Sequence, residues 1–378
     1  MKTRFFYLTQ KQIHTEIDRL FARSHKPVSL RKAILNCYDR GEYSEKHNNH
    51  QLFEQLYKCP DEEFLDNYRQ LSIEYDYEAL MQPAQPIFAP GSYQQTPQHQ
   101  KRVDVYVENV FYHTIGDLHT HENAFEVLFV YHGVCHFTFE NQQKELRTGD
   151  FCIIAPGSRH DISVDGPDDF VIQQYIFSEH FRSSFVKLLE DESILSHFFK
   201  MILTNQERGN YLLFSTPGAS SILQIARNLY LEQFKYDEYS PSCTFFWMQL
   251  LFSNILREGI HSYQLSADFM NADFTPVLDY LQKNYKTATL SDIAAEFHYS
   301  VAYLSTCIKK MTGSSYSSIV RDLKMKEAEE YLLYTNRSID EISALVGYHS
   351  ADHFSRVFRS YYGKAPSDFR SGGRPEQG

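Results

Sequence analysis

The feature that most constrains this chain is a pattern that occurs twice, about fifty residues apart, near its C-terminal end. Leu290–Lys310 reads LSDIAAEFHYSVAYLSTCIKK and Ile339–Ser360 reads IDEISALVGYHSADHFSRVFRS. With one extra residue at His349 the two superpose. Leu290, Ile293, Ala294, Tyr299, Ser300, Leu304, Ser305 and Ile308 fall on Ile339, Ile342, Ser343, Tyr348, Ser350, Phe354, Ser355 and Phe358. Each copy has the make-up of a helix-turn-helix. The first helix is short and amphipathic, with Leu290, Ile293, Ala294 and Phe297 inward. Ala294 and Ser343 are small where two helices must cross closely. A break follows at His298–Tyr299, or at Gly347, which suits a left-handed position past a helix end. Ser300 and Ser350 are then natural N-caps for the second helix. Leu304 with Ile308, and Phe354 with Phe358, face the core at i,i+4 spacing.

The opposite face of each second helix is polar. It exposes Ala302, Ser305, Thr306 and Lys309 in the first copy, and Asp352, Ser355, Arg356 and Arg359 in the second. Between the copies, Tyr316–Tyr334 contains neither Pro nor Gly and reads as one helix, about 28 Å long. That length sets the two second helices roughly one turn of B-DNA apart, about 34 Å. Both then fit successive major-groove segments on one face of a duplex. A plain helical bundle would account for one copy. Matched caps, breaks and core positions in two copies point to DNA binding.

The formal net charge of −11 looks wrong for such a role. It is unevenly spread. From Thr275 to the end there are 13 Lys+Arg and 12 Asp+Glu, a net of +1, which leaves 24 minus 36, or −12, for the remainder. Phosphate attraction is local, so a near-neutral domain with a few placed cations binds DNA, with modest non-specific affinity.

From these residues the chain is identified as resembling the AraC/XylS family of transcription regulators. The resemblance covers about Asp273–Ser371 and is best over VGYHSADHFSRVFRSYYGKAPSDFR, with Gly347, Phe354, Phe358, Gly363, Pro366 and Arg370 in the family's signature positions. It implies about seven helices and a bipartite DNA site. By position, Ala302, Ser305 and Thr306 would face bases in one groove, and Asp352, Ser355 and Arg356 in the next. Lys309 and Arg359 would lie nearer phosphates. Many family members carry Arg where this chain has Thr306. Threonine cannot grip guanine through two hydrogen bonds, so the first half-site should be read less sharply than the second.

Upstream lies a β-rich region. EVLFVY (Glu126–Tyr131), VCHFTF (Val134–Phe139), FCII (Phe151–Ile154) and FVIQQYIF (Phe170–Phe177) read as strands, punctuated by Gly133, Asn141–Gln142, Gly149–Asp150 and Pro156–Gly157. Within it, His119-Thr120-His121, Glu126, Gly149-Asp150 and Ala155-Pro156-Gly157 followed by His160 resemble the two motifs of the cupin superfamily, a small β-barrel. In metal-binding members His119, His121, Glu126 and His160 would be the ligands. Imidazole and carboxylate suit iron, manganese, nickel or zinc. Sensor domains of this kind often keep such residues without metal, so the expectation is a pocket for a small molecule with no cofactor and no metal. Tyr131 is a further candidate for that pocket.

The expected fold class is therefore α+β and multidomain. Residues 1–101 form an N-terminal helical extension and linker, and 102–178 a cupin-like β-barrel sensor. Residues 179–272 form a helical dimerisation and linker region, and 273–371 an all-α domain of about seven helices with two helix-turn-helix motifs. In the extension, His14–Phe21, Leu30–Tyr38, Gln51–Tyr57 and Glu63–Leu80 have helix-like spacing, and 82–101 is rich in Pro and Gln. In the third region Phe181, Phe185, Leu188, Leu189, Ile222, Ile225, Leu229, Phe234, Phe245, Met248, Leu251 and Ile255 recur at helical intervals. They read as a layer on the barrel and a dimer interface.

Six cysteines without a Cys-x-x-Cys pair argue against a zinc ribbon or a disulfide scaffold. The N-terminus lacks a signal-peptide core, and no run approaches about 20 apolar residues, so a cytoplasmic protein is expected. The expected function is a DNA-binding regulator that responds to a small polar effector, such as a sugar or related metabolite. Its expected partners are double-stranded DNA, the effector, a second copy of the chain and RNA polymerase, with no membrane. The alternatives are a metal- or redox-responsive regulator using the His/Glu cluster, and a cupin metalloenzyme.

Overall fold

The structure, a computed structural model, describes residues 5–47, 49–81, 105–114, 118–140, 142–181, 210–216, 220–235, 237–259, 263–265, 275–312 and 314–373. The Pro- and Gln-rich stretch 82–101 lies outside these residues, as do Phe185, Leu188 and Leu189. The chain divides into two compact units. Among the described residues, one holds those from 5 to 181 and from 210 to 264, and the other those from 265 to 373.

The first unit opens with β1 (Phe5–Thr9), α1 (Gln10–Ser24), α2 (Leu30–Asp39), α3 (Asn49–Lys58) and α4 (Asp61–Asn67). Thr9 starts α1 with a reciprocal capping box to Gln12, which satisfies two otherwise orphaned backbone donors. The expected helix over Glu63–Leu80 is corrected. It breaks into α4, a 3-10 turn at Tyr68–Gln70, β2 (Ser72–Asp76) and α5 (Tyr77–Met81). The physical reason is a partner far away in sequence. β2 pairs antiparallel with β1, setting Tyr75 opposite Phe6 and Ile73 opposite Leu8. These side chains then join a core with Ile13, Ile17, Ile34 and Cys37.

The sensor-like part follows. Its strands are β3 (Val105–Asn109), β4 (Ala124–His132), β5 (Val134–Phe139), β6 (Gln142–Arg147), β7 (Asp150–Ile154), β8 (His160–Ser163), β9 (Phe170–Phe177), β10 (Tyr211–Ser215) and β11 (Tyr263–Leu265). They form a six-stranded sheet, β11-β10-β7-β4-β9-β3, and a three-stranded sheet, β6-β5-β8. One apolar core lies between them, with Leu128, Val130, Phe137, Leu146, Ile154, Val171 and Leu213. β10 lies in the region read as helical. Its YLLFS run pairs with β7 and is buried for four of its five residues, so tertiary pairing decides a short apolar run that periodicity alone leaves open.

β4 is buried along both faces. Alternation sends Glu126, Leu128 and Val130 into the barrel and Phe125, Val127 and Phe129 to the outer side. The outer side is covered by α6 (Ser178–Phe181), α7 (Ser220–Glu232) and α8 (Ser240–Gly259). Phe125 stacks on Phe181 at 3.7 Å, and Phe181 meets Phe252 of α8 edge-on at 6.1 Å.

The second unit contains seven helices among the described residues: α9 (Thr275–Asn284), α10 (Leu290–Glu296), α11 (Val301–Thr312), α12 (Tyr316–Tyr334), α13 (Ile339–Leu345), α14 (Ala351–Tyr362) and α15 (Pro366–Gly373). Ile293, Ala294, Leu304 and Ile308 are buried in its first half. Ile342, Ser343, Phe354 and Phe358 are buried in its second. None of the described helices is long and apolar enough to cross a membrane.

One buried group makes the first unit sensitive to acid. His14 of α1 is 6% exposed, lies 4.8 Å from the Phe111 ring and stacks on Tyr112, and neither ring nitrogen has a hydrogen-bond partner. Burial, aided by the Arg69 charge, pushes this imidazole down to about 3 from an ordinary 6.5. A base that must stay neutral when folded adds stability above its unfolded pKa and loses it as pH falls from 6.5 toward 3. Going from pH 7 to pH 5 should cost about 2 kcal/mol through this residue alone. His14→Phe should remove that component, as read by urea denaturation at both pH values. An unchanged pH dependence in the variant would refute the assignment.

Candidate functional site

Two constellations stand out, one in each unit. The first lies inside the barrel. Glu126 sits near the start of β4, and His160 opens β8. Residues 118–121 are tied to β8 by a short bridge in which the His119 and His160 backbones exchange hydrogen bonds of 2.9 and 3.0 Å. Gly157, at φ +77°, donates its N–H to the His121 carbonyl at 2.9 Å. The Pro156–Gly157 turn thus anchors the His-Thr-His segment.

The result is a convergence of side chains on one oxygen. Glu126 Oε2 lies 2.7 Å from His160 Nε2, 3.1 Å from His121 Nε2 and 3.9 Å from His119 Nε2. The four ligand atoms all fall within 4.8 Å of one another. The His121 contact has the distance but not the alignment of a hydrogen bond. Glu126 and His160 are 1% exposed, and His119 is 39% exposed, so the cluster has a buried floor and an open mouth. Burial raises the Glu126 pKa. The His160 charge and the contacts from all three imidazoles outweigh it and hold the carboxyl well below the usual range.

Two side chains of the cluster escape a reading of motifs alone. Gln173 donates to Glu126 Oε1, and its amide lies 2.6 Å from the Tyr175 hydroxyl. The Tyr175 ring is 5.0 Å from His121. Strand register places them there, since Glu126 pairs with Tyr175 and Leu128 with Gln173. The signal in the sequence was the polar QQY interruption of an otherwise apolar strand.

Tyr131 is a correction. It does not line this site. It sits at a bulge between Val130 and His132, its hydroxyl donates to Asp61 at 2.5 Å, and its ring packs on Phe64 and Phe170. It shares the outer face of β4 with Phe129, as parity indicates, but the N-terminal helices cover that face.

The second constellation is the pair α11 and α14. Of the eight polar-face residues, Ala302, Thr306, Lys309, Asp352, Arg356 and Arg359 are exposed, and Ser305 and Ser355 are half-buried. The two copies are built alike. Ser300 Oγ accepts from the Tyr303 N–H at 3.1 Å, and Ser350 Oγ from the His353 N–H at 3.4 Å. Positive φ falls at His298 in one turn and Gly347 in the other. Each first helix begins with a capping box, Thr289 with Asp292 and Ser338 with Glu341. The T-x-x-D and S-x-x-E spacing marks both helix starts in the sequence. Thr306 Oγ1 donates to the Ala302 carbonyl at 2.8 Å. Its proton is thus committed to its own helix.

A two-sheet sensor-like domain followed by seven helices with a duplicated helix-turn-helix defines a ligand-linked DNA-binding protein. Residues 106–239 match the AraC-like ligand binding domain, and residues 293–372 match a helix-turn-helix domain. The chain belongs to the AraC family of transcriptional regulators, a family of regulators and not of enzymes. It is similar to the HTH-type transcriptional regulator YdiP of Escherichia coli K12, 26% identical over 67% of this chain and 80% of YdiP. It is also similar to the raffinose operon regulatory protein RafR of Pediococcus pentosaceus, 33% identical over 26% of this chain. That match spans 35% of RafR. Among solved structures, the C-terminal domain of AraT, a response regulator from Geobacillus stearothermophilus, is 31% identical over 27% of this chain and 86% of that domain, with a TM-score of 0.26.

Proposed function

We propose that this regulator senses a small polar effector at His119, His121, Glu126 and His160, with Gln173 and Tyr175 completing the floor, and reads DNA with α11 and α14. The observation that carries the sensor half is the convergence of three imidazoles on one buried carboxylate beneath an open mouth. Such a site offers hydrogen-bond donors and acceptors to hydroxyl-rich metabolites. The DNA half rests on matched exposed faces in two copies. Ala302, Ser305, Thr306, Asp352, Ser355 and Arg356 meet base edges, and Lys309 and Arg359 meet phosphates.

Substitutions separate the two kinds of DNA contact. Arg356→Ala should cost about 1–3 kcal/mol on the preferred duplex and relax selectivity at one base pair. Arg359→Ala should weaken all duplexes alike and reduce the salt slope by about one. Electrophoretic shift titrations over a salt series decide it. Equal selectivity in wild type and Arg356→Ala would remove α14 from the groove.

A second reading, a metal-responsive sensor, is favoured by one further contact. His160 Nδ1 lies 2.9 Å from the Ser158 carbonyl, which can only accept, so Nδ1 carries the proton. A backbone acceptor on the far nitrogen is the usual support of a metal-bound histidine. The donor set of three imidazoles and one carboxylate fits a divalent transition metal. Such an ion would be held by these four side chains and would supply a Lewis-acidic point for an oxygen-bearing effector. Elemental analysis after reconstitution with zinc, iron, manganese or nickel should give one equivalent in wild type and none in Glu126→Gln. Absence of stoichiometric metal in wild type leaves the direct-effector reading, tested by calorimetric titration with candidate sugars.

We infer that dimerisation uses α8. Its buried face carries Met248, Leu251, Phe252 and Ile255, while Phe246 and Leu250 stand 61% and 48% exposed one turn apart. Such an apolar pair suits a second copy of the chain, and RNA polymerase would meet the DNA-bound form. Replacing both residues with Glu should convert a dimer to a monomer in light scattering. A dimer of unchanged stability would move the interface elsewhere.

A further inference from the structure

The two helix-turn-helix copies are joined by more than α12. Each half has its own anchor to that helix. Tyr316 donates to the Ala288 carbonyl at 2.8 Å for the first half, and Tyr362 reaches Glu329 at 2.7 Å for the second. A third set of contacts joins the halves directly. The ammonium of Lys324, in the middle of α12, donates at 2.9 Å both to the Lys286 carbonyl and to the Gly347 carbonyl. Lys286 precedes the first helix-turn-helix, and Gly347 is the turn of the second. The Lys324 charge also stands over the Tyr348 ring, 5.3 Å from its centre.

Lys286 is held at its other end as well. Its ammonium donates to Glu327 at 2.6 Å and reaches the Leu345 carbonyl at 3.4 Å. The two backbones come so close that no side chain fits. A Cβ on Gly347 would lie 2.6 Å from the Lys286 carbonyl oxygen, and the residue's φ is +76°. A half-buried ammonium is a costly filler for packing alone. What it provides here is two donors for carbonyls that belong to different reading heads.

We propose that Lys324 and Lys286 are positioning residues: a clasp that fixes the placement of α14 relative to α11 and so selects the spacing between DNA half-sites. The proposal rests on the reading of α11 and α14 as groove-inserting helices. Inserting one base pair moves a half-site by about 3.4 Å and rotates it by about 35°. A rigid pair of helices cannot follow that displacement. A loosened pair can, at the expense of its best site.

The test uses the full-length protein. Duplexes are first selected by wild type from a random pool. The two half-sites are then moved apart or together one base pair at a time, and single half-sites are prepared alongside. Wild type should lose about tenfold or more in affinity, about 1.4 kcal/mol, for a one-base-pair change. Lys324→Met keeps the aliphatic stem and removes the donors. It should bind the best spacing about tenfold more weakly, flatten the spacing profile and leave single half-site affinity unaltered. Lys286→Met should act in the same direction and supplies the test if Lys324→Met does not unfold cooperatively on heating. A wild-type spacing profile in the folded variant, or a flat profile in wild type, overturns the clasp. Failure of wild type to select any duplex would instead overturn the DNA-reading assignment itself.

Discussion

The sensor unit is organised by one electrostatic constraint: a carboxylate taken out of water at the bottom of a barrel. Burying an ionised carboxyl without partners costs several kcal/mol. Glu126 is tolerable because three imidazoles and the Gln173 amide face it. Those partners come from three chain segments, and each must be held in register. The bridge from His119 to His160, the turn at Gly157 and the pairing of β4 with β9 accomplish this. The same strand that carries Glu126 inward carries Phe125, Val127 and Phe129 outward, so the fold must cover the far side of the sheet too.

Part of that cover comes from the N-terminal helices. Phe64 and Tyr68 pack on Phe170, and Tyr131 donates to Asp61. Arg227 of α7 donates to the Cys59 carbonyl at 2.8 Å and lies over the Phe64 ring. Farther along, Asp18 accepts from Tyr112 at 2.9 Å, and Phe21 stacks on His113 at 3.8 Å. These contacts brace the backbone a few residues before His119. The N-terminal segment is thus a wall of the sensor and supports the approach to its cluster. On the opposite flank, the start of β4 is packed through Phe125 on Phe181, and Phe181 meets Phe252 of α8.

The parts legible in the sequence were those set by local rules. Tyr316–Tyr334 emerges as one helix with those ends because it runs unbroken between caps and contains no Gly or Pro. The repeated copies are readable because helix length, N-cap and left-handed break recur at matched positions. The four side chains of the His-x-His, Glu and His spacing come together in the structure, with their ligand atoms within 4.8 Å of one another. What local rules hid was decided by distant partners. Residues 72–76 are a strand only because Phe5–Thr9 lies beside them. Tyr211–Ser215 is a strand only because β7 accepts it. Tyr131 lies on the face that parity indicates, but its surroundings depend on a helix about 70 residues upstream. Gln173 and Tyr175 became part of the cluster through register, which a single strand does not reveal.

Charge bears on the DNA-reading unit in a different way. A net of +1 over the C-terminal hundred residues, against −12 elsewhere, gives little general attraction to phosphate. On the proposed reading, affinity then comes from engaging two grooves at once. Once one helix is seated, the other binds at an effective concentration set by how tightly its position is held. A loose connection spreads that concentration over many placements. A connection locked at the turn of the second motif concentrates it on one. The same locking forfeits duplexes whose half-sites are displaced. With Thr306 committing its hydroxyl proton to its own helix, the first head would on that reading have few means to discriminate bases, and geometry would supply part of the selectivity that side chains there do not.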